Sequence, residues 1–580
     1  MDLPVCPLCP VCNLDLSNHD QPAANHHVNR CLDGGYDAVA VADKQLENNQ
    51  VQDKRLSPSP TPPPPPAKKK KISAFNVLMS SNNPEEKADA EADAQSQPRQ
   101  PRQPPFYKIL QGMPIAVDAF AYSSIPNITA YFLTHAHSDH YQSLSKNWSG
   151  GPIYCSEITA ELVHHITSVK REYLRPLSLN TAHTIPGTNG VTATLIDANH
   201  CPGSCIIVFE GRQTVDAAPS TFTSPWIGSS RSFKYLHCGD FRASPRHIRH
   251  PAIARSKFDI IYLDTTYLNP TYSFPPQPLV IDACRDLVLA NLRGEMRVNS
   301  LMQPNSSMLD MIKGGWKKLS GAPEQDEHGE YVTDEKPSSG ENKSENENIH
   351  PHTLPNDVLV VVGTYSIGKE RIVKAIAHAL NSKVYADKRR QALLRNERDS
   401  DLDALLTSDP YAAQVHIQGL GGVTIAALPD YISRFNGRFS RVIGIKPTGW
   451  TYSGGGRGGK SESSSGSGSA SDSKSPSIDL LLKQDLSRWD TYTHKHIHST
   501  RGSNDYVSCY GVPYSEHSSF TELTCFALSI DHTRIIATVN NAKPASRLRM
   551  KNWFDAWLLE RRKRCERGEY SVEARSENFW

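Results

Sequence analysis

The sequence lacks an excess of charge of either sign: 63 basic residues stand against 61 acidic ones, a formal net charge of +2. Affinity for a polyanion must therefore come from a local patch, and overall charge neither supports nor excludes a nucleic-acid partner. No run of about eighteen apolar residues could cross a bilayer, and no N-terminal apolar stretch has the signal-peptide form. A soluble chain without a membrane partner, in a reducing intracellular compartment, is expected. The 12 cysteines are scattered, except for Cys6, Cys9, Cys12 and Cys31 near the start. In a reducing compartment such a cluster suggests zinc more than disulfides. No repeat of solenoid type is visible.

A chain of 580 residues implies more than one domain. Residues 35–104 are poor in core-forming side chains and include "SPSPTPPPPPAKKKK". Its prolines favour extended polyproline II and block helix and sheet, so a disordered linker is expected there. Within it Lys68 to Lys71 fit a nuclear import signal as well as they fit a solvated charge run. Ordered sequence begins near Phe106. The short apolar runs "AYFLT", "CIIVF", "YLHCGD" and "DIIYLD" end in polar or acidic residues, the pattern of sheet strands with chemistry at their ends. Two stretches near 320–353 and 453–476, rich in Ser, Gly, Glu and Asn, read as disordered insertions that punctuate a domain without dividing it. Between them "DVLVVVGTYSIGKERIVKAIAHAL" reads strand, turn, helix, with Ile372, Val373, Ile376, Ala377 and Leu380 at helical spacing.

The densest chemistry lies in "THAHSDHY". His135 and His137 are two apart, so on an extended segment their side chains share one face, and the following loop must bring Asp139 and His140 to the same point. Imidazole and carboxylate together suit zinc, manganese or iron, and do not suit calcium. Four adjacent ligands cannot close a site alone. Further ligand types stand at strand ends: His200, Asp240, Asp264 and His517. Taken singly, each is an ordinary loop or N-cap residue. The stretch "GTYSIGKE" falls just short of a Walker A loop, and Glu370 stands where that loop needs Ser or Thr for Mg²⁺, which argues against an ATPase. Amides at a helix N-terminus, with Ser366 and Lys369, can instead hold a nucleic-acid phosphate. A glycine turn with a surface lysine is the other reading.

The elements "VDAF", "THAHSDHY", "DANHCPGS", "CGDFR", "LDTTY", "GTYSIGKE", "PTGW" and "VPYSEHSSF" follow one another in this order. Together, from about Pro105 to Asn541, they resemble the metallo-β-lactamase nucleases with a β-CASP insertion, and among them the DNA interstrand cross-link repair exonucleases of the nitrogen-mustard-sensitivity group. The resemblance implies an α/β (α+β) chain: a four-layer αββα metallo-β-lactamase domain over 105–267, a β-CASP α/β domain over 268–506, the return of the first domain over 507–560, and a tail over 561–580. It makes His135, His137 and His200 ligands of one metal, with Asp139, His140 and His517 able to hold a second and Asp240 bridging. Asp118 would order the cluster, and Asp264 would be the acidic residue near the reacting phosphate. One or two zinc ions are implied, with Mg²⁺ or Mn²⁺ as alternatives. A metal serves phosphodiester hydrolysis by activating water at neutral pH and neutralising charge on the phosphoryl oxygens.

The same resemblance gives Val539 of "IIATVNN" as a mark of DNA-cutting over RNA-cutting members, and a 5′-phosphate pocket built from Ser366, Lys369 and Thr448 of "PTGW". The implied activity is metal-dependent 5′-to-3′ exonucleolytic hydrolysis of DNA in the nucleus, on 5′-phosphorylated ends and cross-linked DNA. Three alternatives are a hairpin-opening endonuclease of the same superfamily, a non-catalytic scaffold at damaged DNA or telomeres, and a small-molecule hydrolase. Loss of ligands would mark the scaffold, and none is lost. The long insertion between Asp264 and His517 argues against the small-molecule hydrolase.

Two terminal segments remain. "CPLCPVCNLDLSNHDQPAANHHVNRC" offers C-x2-C followed by H-x3-C, best met by Cys9, Cys12, His27 and Cys31, with Cys6 and His26 as substitutes. It resembles a small ubiquitin-binding zinc finger, which over residues 1–34 implies one structural zinc and a ubiquitin or ubiquitylated partner. Near the other end, "RLRMKNWFDAWLLERRKRCER" sets Trp553, Phe554, Trp557 and Leu558 at helical spacing. An amphipathic helix packed on the nuclease is expected, its basic outer face either solvated or in contact with DNA.

Overall fold

The computed structural model describes residues 103–122, 124–215, 224–295, 355–452 and 492–580, together with Ile478, Leu482 and Trp489. The expected zinc finger, the linker up to residue 102, the tetralysine and both insertions lie outside the described residues. The elements below belong to the unit formed by residues 105–218 and 225–580.

Four short parallel strands, β1 (Ile115–Val117), β2 (Ala130–Phe132), β3 (Ile153–Ser156) and β4 (Leu174–Leu177), form the first sheet in that order. The second sheet holds β5 (Ala182–Thr184), β6 (Thr192–Asp197), β7 (Cys205–Arg212), β8 (Ser232–His237), β9 (Lys257–Leu263) and, arriving last, β16 (Asp531–Ala537). Side chains alternate across each strand and so sort into layers. In β2, Ala130 and Phe132 face the second sheet while Tyr131 faces outward; in β7, Ile207 and Phe209 face the first sheet while Ile206 and Val208 face outward. The helix Glu157–Thr167 covers the outer face of the first sheet, and the helices Phe520–Ser529 and Pro544–Glu566 cover that of the second. This is the αββα sandwich.

A third sheet is wholly parallel, in the order β12 (Leu406–Thr407), β11 (Lys383–Tyr385), β13 (Ala413–Gly419), β10 (Val358–Thr364), β14 (Arg441–Pro447), β15 (Val507–Val512). Every residue of β10 is buried, as a parallel strand covered on both faces requires. The helices Gln277–Leu292 and Glu370–Ala379 lie on one face and Leu428–Ser433 on the other. The return of the first domain, expected from residue 507, therefore starts later: "VSCYGV" hydrogen-bonds in register to β14 from Val442 to Pro447 and is the edge strand of the inserted sheet. The expected tail is also folded. The last helix runs to Glu566, and Val572 and Trp580 bury into the core that holds Trp557. Trp553 and Phe554 pack against that core, as the helical spacing predicts.

Candidate metal centre

In open α/β sheets, loops at the carboxyl ends of strands gather chemistry, and all three sheets obey that rule here. His135, His137, Asp139 and His140 follow β2, His200 follows β6, Asp240 follows β8, Asp264 follows β9 and His517 follows β15. Six of these converge. Ligand atoms of His135, His140 and Asp240 lie within 4.8 Å of one another, as do those of His200, Asp240 and His517, and those of His135, His137, His200 and Cys201. Asp240 Oδ2 stands 3.2 Å from His140 Nε2, 3.8 Å from His135 Nε2 and 4.0 Å from His517 Nε2, a central place between imidazoles from two loops. Asp139 sits at the edge, its side chain half exposed and Oδ2 3.6 Å from His140 Nε2.

Four of the five imidazoles are held from behind by Nδ1. His135 Nδ1 meets Thr134 Oγ1 at 3.0 Å, His200 Nδ1 meets the carbonyl of Glu516 at 2.8 Å, His140 Nδ1 meets Asp118 Oδ2 at 2.7 Å and His517 Nδ1 meets Asp264 Oδ2 at 2.9 Å. The Nε2 atoms of all four are thereby turned inward, the arrangement that second partners impose on metal-binding histidines. Asp118 adopts a positive φ of 51°, a left-handed conformation that aspartate tolerates. From there Oδ1 accepts from Thr134 N at 2.9 Å and Oδ2 from Thr134 Oγ1 at 2.8 Å. Gly239, at φ +55°, lets the Asp240 loop close on the same threonine, since a Cβ there would stand 2.8 Å from Thr134 Cβ.

The electrostatics divide the cluster. Burial, reinforced by the neighbouring imidazoles, holds His135 and His200 well below the usual histidine range, so both stay neutral. Burial acts in the same sense on His140 and His517, but Asp240 and Asp118 raise His140 well above it, and Asp264 and Asp240 lift His517 to about 9. The carboxyl groups of Asp118, Asp139 and Asp264 are pushed up by burial and brought lower than usual by the histidines beside them. A metal fits this donor set. His135 Nε2 is fully buried with no hydrogen-bond partner among the described residues, and His200 Nε2 faces His137 Nδ1 at 3.0 Å. A cation held by these three histidines would satisfy the orphaned atom and the crowded pair together.

Two residues stand elsewhere than the sequence leads one to expect. Asp264, expected near the phosphate, is buried behind His517, with Oδ1 accepting from Thr266 N and Oγ1 at 2.9 and 2.7 Å. It orients an imidazole and has no open face. Lys369, expected to bind phosphate, is 4 % exposed and its Nζ lies 3.6 Å from Glu516 Oε2, while its backbone N–H donates to Glu516 Oε1 at 2.7 Å. The anion at this helix N-terminus is Glu516. Ser366 remains exposed on the same loop, whose Ile367 carbonyl lies 3.4 Å from His137 Nε2. Thr448 caps the short turn Gly449–Thr451, its Oγ1 accepting from Trp450 N. Val539 follows β16, and its carbonyl accepts from Thr265 Oγ1 at 2.7 Å.

Sequence reasoning missed Glu516, Thr134, Cys201 and Arg242. Thr134, Cys201 and Glu516 each adjoin a histidine already singled out, which was the one available signal. Arg242, buried, donates to Glu522 Oε1 at 3.0 Å, the Ser515 carbonyl at 2.6 Å and the Pro275 carbonyl at 2.9 Å.

Comparison with known proteins agrees with the fold. The beta-lactamase superfamily domain family matches residues 105–305, and the DNA repair metallo-beta-lactamase family matches residues 400–543. The chain is 34 % identical over 557 residues, 96 % of its length and 79 % of the relative's, to the DNA cross-link repair protein pso2/snm1 of Schizosaccharomyces pombe. It is 32 % identical over 458 residues, 79 % of its length and 70 % of the relative's, to the DNA cross-link repair protein SNM1 of Arabidopsis thaliana. A shorter match, 39 % over 167 residues, covers 29 % of this chain and 32 % of the 5′ exonuclease Apollo of Gallus gallus. With that identity carried across nearly its whole length, the chain belongs to the SNM1/Pso2 family of DNA cross-link repair metallo-β-lactamase proteins.

Proposed function

We propose that this chain is a metal-dependent DNA nuclease of interstrand cross-link repair, and that it removes nucleotides from a 5′ end. The observation that carries the reading is the inward-facing set of His135, His137, His140, His200, Asp240 and His517, with the buried His135 Nε2 lacking a hydrogen-bond partner among the described residues. His135, His137 and His200 would hold one ion, and Asp139, His140 and His517 a second, with Asp240 shared. Zinc suits the donors best, with Mg²⁺ or Mn²⁺ as the alternatives. When bound, such an ion activates water and stabilises the charge that builds on the phosphoryl oxygens.

The chain's own contributions follow from its geometry. Asp139, half exposed beside His140, and Asp240 at the centre of the cluster would, besides holding the ion, position the attacking water. Asp118 and Asp264 keep His140 and His517 in one orientation and one tautomer. Ser366 and Thr448 would meet the 5′-phosphate, and Val539 would mark the DNA-cutting branch. The Cys9, Cys12, His27 and Cys31 finger would recruit the enzyme to ubiquitylated repair factors in the nucleus.

The test is digestion of end-labelled single-stranded, double-stranded and hairpin DNA, with and without a 5′-phosphate and with and without chelator. Wild type should release nucleotides from 5′-phosphorylated ends, lose that activity in chelator and slow strongly on 5′-hydroxyl ends. Asp139→Ala should be inactive while retaining its fold and DNA affinity. A mutant that cuts at the wild-type rate would refute the role given to Asp139, and equal rates on both kinds of end would remove the phosphate site. Preferred cutting of hairpins would move the chain to the endonuclease branch.

A further inference from the structure

We propose that Trp450 is a stacking platform for an unpaired nucleobase of the DNA strand being cut, an inference that rests on the nuclease reading above. Trp450 follows β14 and is 46 % exposed, although large aromatic rings ordinarily bury most of their surface. It is nonetheless held in place. Its ring stands edge-on to Tyr272, with centroids 5.2 Å apart, and tilted on Tyr267 at 5.0 Å. Tyr267 is buried, braced by Phe274 at 5.1 Å, and its ring lies 6.1 Å from that of His517. The platform is thus anchored from below by tyrosines and joined to the metal cluster through one intervening ring.

That placement names the occupant. An open aromatic surface at the rim of a centre that cuts phosphodiesters can gain apolar burial only from what the substrate brings there, and DNA brings the flat faces of its bases. A base inside a duplex already has both faces stacked, so the partner is an unpaired one. Ring centroids step 5.0 Å from Trp450 to Tyr267 and 6.1 Å from Tyr267 to His517, a span of the size of one or two nucleotides. A base on Trp450 therefore sets an adjoining phosphate at the cluster. Stacking is indifferent to base identity, which suits an enzyme that must proceed through any sequence.

The experiment uses the full chain as wild type, Trp450→Ala and Trp450→Phe, on 5′-phosphorylated single-stranded oligonucleotides that are natural or abasic at the 5′-terminal positions. On natural DNA, Trp450→Ala should raise KM about tenfold with kcat within about twofold, and Trp450→Phe should restore most of the loss. On abasic DNA wild type and Trp450→Ala should coincide. Equal KM values for the two on natural DNA, or the same loss on abasic DNA, would overturn the proposal. Fluorescence anisotropy of the same oligonucleotides in EDTA provides a readout independent of cutting. Cutting without any effect of Trp450→Ala defeats the platform alone; base-dependent binding by a wild type that never cuts defeats the nuclease reading and leaves the platform standing.

Discussion

At the scale of single residues, two carboxylates, Asp118 and Asp264, stand behind two histidines, His140 and His517, and neither reaches toward a substrate. Their effect is to fix which imidazole nitrogen carries the proton and to supply negative charge behind the ligand. Asp264→Asn keeps the shape and removes the charge. We expect metal affinity to fall roughly 10- to 100-fold, measured by competition with a chromogenic chelator, with the pKa of His517 in the metal-free protein falling from about 9. Unchanged affinity would mean that Asp264 matters only for packing. The ligand types themselves were legible in the sequence, because "HAHSDH" packs them into one turn of loop. The direction in which Asp264 points was not: it depends on His517, 253 residues away, and only the finished fold brings the two together.

At the scale of elements, buried histidines outside the centre set how the fold responds to acid. His416 lies fully buried in β13, its Nδ1 3.0 Å from the Tyr431 hydroxyl and its Nε2 2.9 Å from the Pro410 carbonyl. His247, in the helix Pro245–Arg249, accepts at Nδ1 from Ser244 N at 3.1 Å and meets the Asp197 carbonyl through Nε2 at 2.8 Å. Each is satisfied as a neutral ring, and burial pushes both down to about 4. Below the ordinary histidine value the unfolded chain binds protons that the folded chain refuses, so stability is present in full above pH ~6.5 and is lost as pH falls toward 4. Each group contributes on the order of 3 kcal/mol to that loss. Urea denaturation of metal-free protein between pH 7.5 and 5 should show it, and His416→Gln should flatten the slope; an unchanged slope would remove His416 from the account. Strand-turn-helix at residues 358–379 was plain in the pattern, yet the anion its N-terminus receives was not. Gly368, at φ +90°, accepts Glu516 so closely that a Cβ would stand 2.6 Å from Oε2, a contact made by residues remote in sequence.

At the scale of the whole molecule, the centre joins two domains. His517 lies just beyond β15, an edge strand of the inserted sheet, and just before the helix Phe520–Ser529 of the sandwich. "VSCYGV" was expected with the first domain and pairs instead with β14, because an apolar strand reads the same whichever partner it finds. Arg371 crosses the same seam, donating to Asn199 Oδ1 at 2.6 Å and Gln277 Oε1 at 2.8 Å. Arg242 pins it more firmly. Its guanidinium reaches the Glu522 carboxylate in the sandwich helix, the Ser515 carbonyl two residues before His517, and the Pro275 carbonyl at the start of the insertion. A planar fork can serve three acceptors at fixed angles, and a lysine cannot. Arg242→Ala leaves Glu522 buried beside an empty space, which should cost about 3–5 kcal/mol. Arg242→Lys keeps the charge but loses at least one carbonyl, so we expect a folded protein whose His517 loop is loosened. Hydrogen exchange over residues 513–519 should rise while exchange in β6 to β9 stays unchanged, and metal affinity should fall with it. If exchange rises uniformly instead, Arg242 supports the sandwich as a whole and the link between domain seam and metal centre is lost.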